Sequence, residues 1–333
     1  MAPLLLRLPN WLGDLVLAWP VIDAAAASGP LLLVGPPLFE PILRARYPQA
    51  RYLAWSRSRR YALLPAIRRE RPRAALLLPE SFSSALLVAL AGVPERIGYA
   101  AEGRGPLLTR RVARGAAPRA TPRASEYGAL AAAAGLSVAS GDPVLTATRE
   151  ERGAASDLFV SRGGQGRPYL IIAPGAAYGP AKQWGGDRFG RAAASVAVPR
   201  GEVVVAVGSA ADRDASADSL AASEAAGADT LDLTGATDLP ALVGVVAGAS
   251  LVLSNDSGVM HLAAALGRPT VALFGSTSPL WTSAAAPHVA NLYAAYPCSP
   301  CYRRTCPIGY GCLRALAPER AVEAAEALLS RVR

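Results

Sequence analysis

Residues 250–279 hold two short apolar runs with a polar turn and a helical segment between them. The runs at 251–254 and 270–274 are rich in Leu, Val and Ala, which is typical of strands buried on both faces of a parallel sheet. The segment at 257–266 is predicted to be a helix that ends before Gly267. Strand, helix and strand in this order form a βαβ unit, and such units build open α/β sheets with right-handed crossovers.

The same alternation of strand and helix continues through the chain of 333 residues. This length exceeds the usual size of one hydrophobic core, so we expect two domains. Two Rossmann-like, doubly wound domains are predicted at residues 1–145 and 146–317, with a binding cleft between them and a final helix at 318–333 that packs back toward the first domain. Further strands are predicted at 3–9, 31–34, 51–55, 74–78, 95–99, 169–173, 202–207 and 230–232. Further helices are predicted at 15–27, 37–46, 58–70, 81–90, 125–134, 149–162, 187–197, 210–226 and 239–247.

The composition supports folded cores and argues against several classes of protein. With 52% hydrophobic and 18% charged residues, the chain can bury sizeable cores, and disorder is not expected. No apolar run reaches the ~18–20 residues of a membrane span, and the first residues lack a basic leader and a small-residue cleavage site. A cytoplasmic protein is therefore predicted. The Gly-, Pro- and Arg-rich stretch at 103–123 predicts an exposed basic loop, and 138–148 predicts a linker.

The net charge of +9 is concentrated in the first part of the chain. Residues 1–123 contain 18 arginines and 7 acidic residues, whereas the remainder contains 16 basic and 18 acidic residues. This excess favours an anionic partner, such as a phosphorylated acceptor, an anionic membrane surface or nucleic acid. An arginine-rich coding bias with solvated side chains is the alternative. Nucleic acid is disfavoured because the arginines are scattered and no recognition motif accompanies them.

Polar turns follow predicted strands at 174–184, 208–212 and 255–258. Because the carboxyl ends of parallel strands share one edge of a sheet, these turns can together hold a nucleotide, with Lys182 and backbone amides on the phosphates and Asp212 on the ribose. Lys182 is the only lysine beside 33 arginines. A single remaining lysine indicates a position that needs a compact ammonium group, with chance as the alternative.

Two short segments place polar side chains at the start of a predicted helix. After Asn255, the helix N–H groups and dipole favour a phosphate, and Gly258 lets a ligand approach the backbone. The alternative is that Asp256 or Ser257 only caps the helix. Asp14 has a similar pair of interpretations, as a carboxylate that stabilises a first helical turn or as a functional base at the end of a strand.

Neither half has a Gly-x-Gly-x-x-Gly run after its first strand, so a nicotinamide dehydrogenase is not expected. The Asn-Trp-Leu-Gly-Asp run at 10–14, the turns at 174–184 and 208–212, and Ser-Asn-Asp-Ser-Gly-x-x-His-Leu-Ala-Ala-Ala-Leu-Gly-x-Pro from 254 occur in that order. Together they resemble glycosyltransferase family 9, in particular its lipopolysaccharide heptosyltransferases of type II. The resemblance implies an α/β glycosyltransferase-B fold and an inverting, metal-independent transfer of heptose from ADP-heptose to a cell-envelope glycan.

The resemblance also implies roles for individual residues, with no cofactor beyond the nucleotide-sugar donor. Asp14 matches the general base of the family. His261 matches a donor-binding position, although packing within the helix is as good an explanation. The full set of donor-binding positions is Lys182, Ser209, Asp212, Asn255, Asp256, Ser257, Gly258 and His261. Separately from the resemblance, the charge of the first domain makes Arg57, Arg59, Arg60, Arg96 and Arg104 candidates to bind an anionic acceptor, and no motif fixes which of them do so.

The chain departs from many relatives at 125–127, where Ser-Glu-Tyr stands in place of a histidine, so acceptor contacts there are expected to differ. Two other functions stay open. One is a related transferase that uses another nucleotide sugar, and the other is a non-catalytic sugar-nucleotide-binding protein. The presence of Asp14 argues against the second.

Four cysteines lie close together at 298, 301, 306 and 312. Such density is found in zinc knots and iron–sulfur sites, although this spacing is not that of a standard zinc finger. Disulfides are disfavoured in a reducing cytoplasm. We interpret the cysteines as small apolar side chains that pack a loop, without a metal.

Overall fold

A computed structural model describes residues 1–114, 119–138, 142–164, 166–283 and 286–331. The chain divides into two compact units, Met1–Pro143 and Val144–Arg333. Each unit consists of a parallel β-sheet whose strands are connected mainly by helices. Each therefore has the α/β architecture that the alternating pattern predicts.

The first unit contains one sheet of six parallel strands within its described residues. The strands are β1 Leu4–Arg7, β2 Leu31–Gly35, β3 Arg51–Ala54, β4 Ala74–Leu77, β5 Glu95–Tyr99 and β6 Arg110–Val112. The helices are α1 Leu12–Leu17, α2 Trp19–Ala27, α3 Glu40–Arg46, α4 Leu64–Glu70, α5 Phe82–Leu90 and α6 Arg123–Ala133. The strand order is β3-β2-β1-β4-β5-β6, and its reversal at β1 makes the sheet doubly wound.

Strand β1 lies at the point where the strand order reverses, and all four of its residues are buried. Leu5 pairs with Leu32 of β2 on one side and with Ala75 of β4 on the other. At the carboxyl end, the guanidinium of Arg7 donates to Asn10 Oδ1 at 2.7 Å. The buried strand thereby anchors the turn that leads into α1.

The helix predicted at 15–27 is in fact two helices. Helix α1 ends at Leu17, α2 begins at Trp19, and Ala18 lies between them with φ −88° and ψ 0°. Pro20 explains the break, because proline lacks the N–H that a continuous helix would need and its ring crowds the preceding turn. Helix α1 also begins earlier than predicted, at Leu12, which places Asp14 in its first turn.

The basic loop predicted at 103–123 contains regular structure that the sequence did not reveal. Strand β6 pairs with β5 at the edge of the sheet, with Arg110 opposite Ile97. Two exposed arginines in a strand of three residues obscure the strand pattern. Residues 115–118 of this loop and 139–141 of the predicted linker lie outside the described residues.

The second unit also contains one sheet of six parallel strands in its described part. The strands are β7 Tyr169–Ala173, β8 Val203–Ala206, β9 Thr230–Asp232, β10 Val252–Asn255, β11 Thr270–Phe274 and β12 Val289–Tyr293. The helices are α7 Arg149–Ser161, α8 Gly186–Ala197, α9 Arg213–Ala225, α10 Leu239–Gly248, α11 Gly258–Ala265, α12 Pro279–Thr282, α13 Gly311–Arg314 and α14 Pro318–Leu329. The strand order is β12-β11-β10-β7-β8-β9, with the reversal between β7 and β10, and β12 was not predicted from the sequence.

The last helix, α14, packs on α8 and on strands β11 and β12 of its own unit. The indole of Trp184 is 1% exposed and donates from Nε1 to the carbonyl of Leu316 at 2.9 Å, which fixes the segment just before α14. Packing of this helix toward the first unit stays a prediction. No helix in the described part of the chain is long and apolar enough to cross a membrane.

Candidate functional site

Asp14 lies in the first turn of α1, just beyond the carboxyl end of β1. Its Oδ1 accepts a hydrogen bond from Tyr127 Oη at 2.8 Å and one from Arg123 Nε at 3.4 Å. The side chain is 29% exposed, so the carboxylate is supported from inside the unit and still reaches solvent. A general base must lie within hydrogen-bond reach of the proton that it takes, and a partly exposed carboxylate held in one orientation can meet that condition.

Arg123 connects Asp14 to two further carboxylates. Its Nη1 lies 2.8 Å from Glu80 and 2.7 Å from Glu126, and Arg114 forms a second ion pair with Glu80. These five side chains carry two positive and three negative charges. Asp14 therefore belongs to a connected network of ion pairs.

In the second unit, Lys182 and Asp256 form a buried ion pair. The distance from Lys182 Nζ to Asp256 Oδ2 is 2.6 Å, and the two side chains are 11% and 3% exposed. Thr277 Oγ1 donates to the same carboxylate oxygen at 2.6 Å. Burial by itself raises the pKa of Asp256, but the charge of Lys182 and these hydrogen bonds outweigh burial and hold the pKa below its ordinary value. Asp256 is thus ionised, and it neutralises the ammonium group that was predicted to face phosphates.

Asn255 is buried at the end of β10, and its amide holds the preceding loop in place. Nδ2 donates to the carbonyl of Pro174 at 2.7 Å, and Oδ1 accepts from the backbone N–H of Trp184 at 3.1 Å. The side chain thus joins both ends of the loop at 174–184, which carries Lys182. Direct contact of Asn255 with a donor stays a prediction.

Helix α11 begins directly after Ser257, which adopts an extended conformation and makes no side-chain cap hydrogen bond. The Ser257 hydroxyl lies 3.1 Å from that of Ser254 instead. The capping alternative is therefore wrong for Ser257. Gly258 opens the helix, and His261 lies one turn further in, 6% exposed. An uncapped helix start of this kind can bind an anion.

Ser209 and Asp212 form a reciprocal cap in the turn after β8. Asp212 Oδ2 accepts from the Ser209 N–H at 2.8 Å and from its hydroxyl at 2.6 Å. A Cβ added to Gly175 would lie only 2.1 Å from Asp212 Oδ1, so the turns after β7 and β8 are in direct contact. Glycine at 175 is required for this approach.

Strands β8, β7 and β10 are neighbours in the sheet, so the turns that follow them lie at one edge. The structure thus brings together the predicted donor-binding residues: Lys182, Ser209, Asp212, Asn255, Asp256, Ser257, Gly258 and His261. Their individual contacts with a donor stay predictions.

The arginines predicted to bind an acceptor do not form one group. Arg57 is exposed beyond β3, and Arg60 lies over the ring of Tyr61 at 5.5 Å. Arg96 lies near the amino end of β5, and its guanidinium donates to the carbonyls of Val93 and Leu107, each at 2.6 Å. Arg104 is fully buried, and its Nε donates to the Tyr99 carbonyl at 2.8 Å. Contact of any of these arginines with an acceptor stays a prediction.

All four cysteines are free thiols, with Cys298 exposed and Cys312 buried. Cys306 Sγ accepts from the N–H of Tyr310 at 3.2 Å, and backbone N–H groups of this turn lower the pKa of the Cys306 thiol. Burial raises the pKa of Cys312. Among the described residues, no group of three or more His, Cys, Asp or Glu side chains is placed to hold a metal ion. Whether the thiols only pack the loop stays a prediction.

Four side chains that contact the site were missed by the sequence analysis. Tyr127 and Arg123 hold Asp14, and Thr277 and Thr282 donate to Asp256 at 2.6 Å and 3.4 Å. Residues 125–127, which include Tyr127, were identified from the sequence as a difference from many relatives. The contact of Tyr127 with Asp14 was not predicted. No local pattern marks the two threonines.

A family model and the sequences of curated relatives indicate one family. A family model described as glycosyltransferase family 9 (heptosyltransferase) matches residues 60–310, a segment that begins after Asp14. Lipopolysaccharide heptosyltransferase 2 of Salmonella typhimurium is 33% identical over 296 residues, covering 82% of this chain and 83% of that protein. The Escherichia coli protein of the same name is 32% identical over 295 residues, with the same shares covered. The structure of E. coli ADP-heptose lipopolysaccharide heptosyltransferase II is similar with a TM-score of 0.82 and 29% identity, covering 99% of both chains.

Proposed function

This chain belongs to glycosyltransferase family 9, and we propose that it transfers heptose from ADP-heptose to the lipopolysaccharide core, with inversion at the anomeric carbon. The observation that carries the proposal is the likeness of sequence and fold to lipopolysaccharide heptosyltransferase 2, over four fifths of the chain in sequence. The sugar, the nucleotide and the acceptor class follow from those relatives. The roles proposed for individual residues rest on the resemblance of their motifs to the family, and the contacts of Asp14 and Lys182 support them.

Asp14 acts as the general base. An inverting transfer needs one carboxylate to take the proton of the acceptor hydroxyl while the hydroxyl oxygen attacks the anomeric carbon, and such catalysis contributes about 10²–10⁴-fold. Asp14 is partly exposed and held at one oxygen. These properties suit a group that takes up a proton once in every turnover.

The helix start after Ser257 and the Lys182–Asp256 pair hold the donor diphosphate. Negative charge grows on ADP as the glycosidic bond breaks, and preorganised N–H dipoles stabilise that charge without reorganisation. Lys182 is neutralised by Asp256 at 2.6 Å, so the first amides of α11 supply the larger share of the attraction. In this mechanism these groups supply the positive potential, and no metal ion takes part.

The acceptor side includes the exposed arginines after β3. Arg57 and Arg59 are exposed, and residues 1–123 hold 18 of the 33 arginines. A phosphorylated lipopolysaccharide core and the anionic cytoplasmic face of the inner membrane both offer negative charge to such a surface. The protein therefore works in the cytoplasm, at that face of the membrane.

The test is a transfer assay with purified protein, ADP-heptose and lipopolysaccharide core acceptor. ADP release and a gain of one heptose mass on the acceptor are expected, and both should persist in EDTA. Asp14→Asn should lose turnover and keep its affinity for ADP. UDP- and GDP-sugars serve as controls, and transfer from one of these in place of ADP-heptose would contradict the donor assignment. Nucleotide binding without any turnover would indicate a non-catalytic protein.

A further inference from the structure

Two side chains of helix α6, Tyr127 and Arg123, hold one carboxylate oxygen of Asp14. Tyr127 Oη and Arg123 Nε both donate to Oδ1, at 2.8 Å and 3.4 Å. No residue in the described ranges donates to Oδ2. Oδ2 is therefore the oxygen that is left to take a proton.

Helix α6 can supply both donors because Arg123 and Tyr127 are four residues apart and lie on one face of the helix. The guanidinium lies over the phenol ring at 4.7 Å. Tyr127 is 1% exposed, and burial together with the Asp14 carboxylate raises the pKa of Tyr127 well above its ordinary value. The phenol thus stays neutral and keeps its proton for the hydrogen bond to Asp14.

Arg123 is itself held in place from several sides. Its Nη1 pairs with Glu80 and with Glu126, and Arg114 also pairs with Glu80. The Tyr99 hydroxyl donates to the backbone carbonyl of Glu126 at 2.8 Å, which ties α6 to the end of β5. A guanidinium held at this many points keeps one orientation, and so does the carboxylate that it contacts.

We infer that Tyr127 and Arg123 are positioning residues, which hold Asp14 Oδ1 so that Oδ2 takes the proton of the acceptor hydroxyl. This inference rests on the proposed function, since it takes Asp14 as the base. In the step, the acceptor O–H bond breaks and its oxygen bonds to the anomeric carbon. The bond from that carbon to the diphosphate oxygen breaks, ADP leaves with the electron pair, and the proton remains on Oδ2.

The first test removes one oxygen atom from each of two buried tyrosines. Tyr127→Phe should lower kcat by about 10–100-fold, because a misplaced catalytic group costs rate, while the donor KM and the ADP affinity change by less than about threefold. Tyr52→Phe is the matched control, because Tyr52 is 5% exposed in the same unit and its hydroxyl donates to the Pro36 carbonyl at 2.6 Å. The control should keep kcat within about threefold of the wild type. Equal loss of kcat in both variants would overturn the inference.

A second pair of variants tests Arg123 and remains informative if Tyr127→Phe does not fold. Arg123→Lys keeps the charge but loses the planar fork whose Nε and Nη1 hold separate carboxylates, so it should lower kcat by about tenfold or more, nearly as much as Arg123→Gln, again with little change in the donor KM. Wild-type kcat in Arg123→Lys, or a loss confined to KM, would count against positioning.

Crystal structures separate failure of this inference from failure of the proposed function. If Tyr127→Phe leaves the Asp14 carboxylate in its wild-type orientation, the positioning role is wrong whatever the protein transfers. If Asp14 turns away in the variant, positioning is supported even where ADP-heptose proves to be the wrong donor. A wild type that is inactive with ADP-heptose refutes only the proposed function.

Discussion

The buried pair of Lys182 and Asp256 gives the sharpest quantitative prediction. Changing Lys182 to Met removes the ammonium group and leaves the carboxylate of Asp256, which is 3% exposed, without its charged partner. Thr277 still donates to that carboxylate, but a hydroxyl does not neutralise it. The double variant Lys182→Met with Asp256→Asn removes both charges and keeps an oxygen for Thr277.

The magnitude follows from the distance and the burial. At 2.6 Å and an effective dielectric of 20, two unit charges attract by about 6 kcal/mol, most of which offsets their desolvation. Removing one partner of a buried pair costs about 3–5 kcal/mol because the other charge stays buried. Lys182→Met should therefore lower the free energy of unfolding by about 3–5 kcal/mol, whereas the double variant should come within about 1–2 kcal/mol of the wild type.

The same variants show which group attracts the diphosphate. In Lys182→Met, the unbalanced carboxylate repels ADP, and affinity should fall more than about 100-fold. In the double variant the helix amides remain and the repulsion is gone, so affinity should return to within about tenfold of the wild type. Urea denaturation gives the stabilities, and calorimetric titration with ADP gives the affinities.

The reasoning has two clear points of failure. If the losses in unfolding free energy from Lys182→Met and Asp256→Asn simply add in the double variant, the two side chains are not coupled as the structure indicates. If the double variant binds ADP as weakly as Lys182→Met does, Lys182 and not the start of α11 supplies the attraction. Any non-additivity between the Lys182 and Asp256 variants would then describe the stability of the fold and not the binding of ADP.

Three further predictions follow from the same site. The pKa of Asp256 is lowered in the folded protein, so its ion pair with Lys182 should stabilise the fold above about pH 4 and lose that contribution as the pH falls further. Asp256→Asn should therefore flatten the pH dependence of the urea denaturation midpoint below about pH 4. A pH dependence equal to that of the wild type would contradict the ion pair. Gly175→Ala should destabilise by about 1–3 kcal/mol, because the new Cβ meets the Asp212 carboxylate, and a thermal midpoint equal to the wild type would contradict the close approach. Asn255→Ala should cost about 2–4 kcal/mol, because it frees the Trp184 N–H and the Pro174 carbonyl; a loss below about 0.5 kcal/mol in urea denaturation would show that these hydrogen bonds are not needed.

The order of strands and helices could be predicted from the sequence because it depends on local patterns. The apolar runs of β7 and β11 were predicted with the bounds that the structure shows, since a strand buried on both faces leaves little ambiguity. Two partly exposed edge strands were missed, although β9 at another sheet edge was predicted with its observed bounds. β12 and β6 lie at sheet edges, where alternation is weak and neighbouring strands decide the pairing.

Within the candidate site, the sequence indicated which turns would meet, because parallel strands order their carboxyl ends at one edge. It could not indicate which side chains pair across those turns. The contact of Lys182 with Asp256 spans 74 positions, and that of Tyr127 with Asp14 spans 113. Such contacts leave no periodic trace in the chain.

The amino-acid sequence alone therefore determined the alternating α/β architecture, the family, and the location of the polar turns, since each is encoded by neighbouring residues. Only the tertiary structure shows that the Asn255 side chain hydrogen-bonds to the loop at 174–184, that Asp256 forms an ion pair with Lys182, and that Tyr127 of α6 donates to Asp14. The physical reason is that hydrogen bonds and ion pairs depend on distance in space. Only the folded chain brings these distant side chains within about 3 Å of one another.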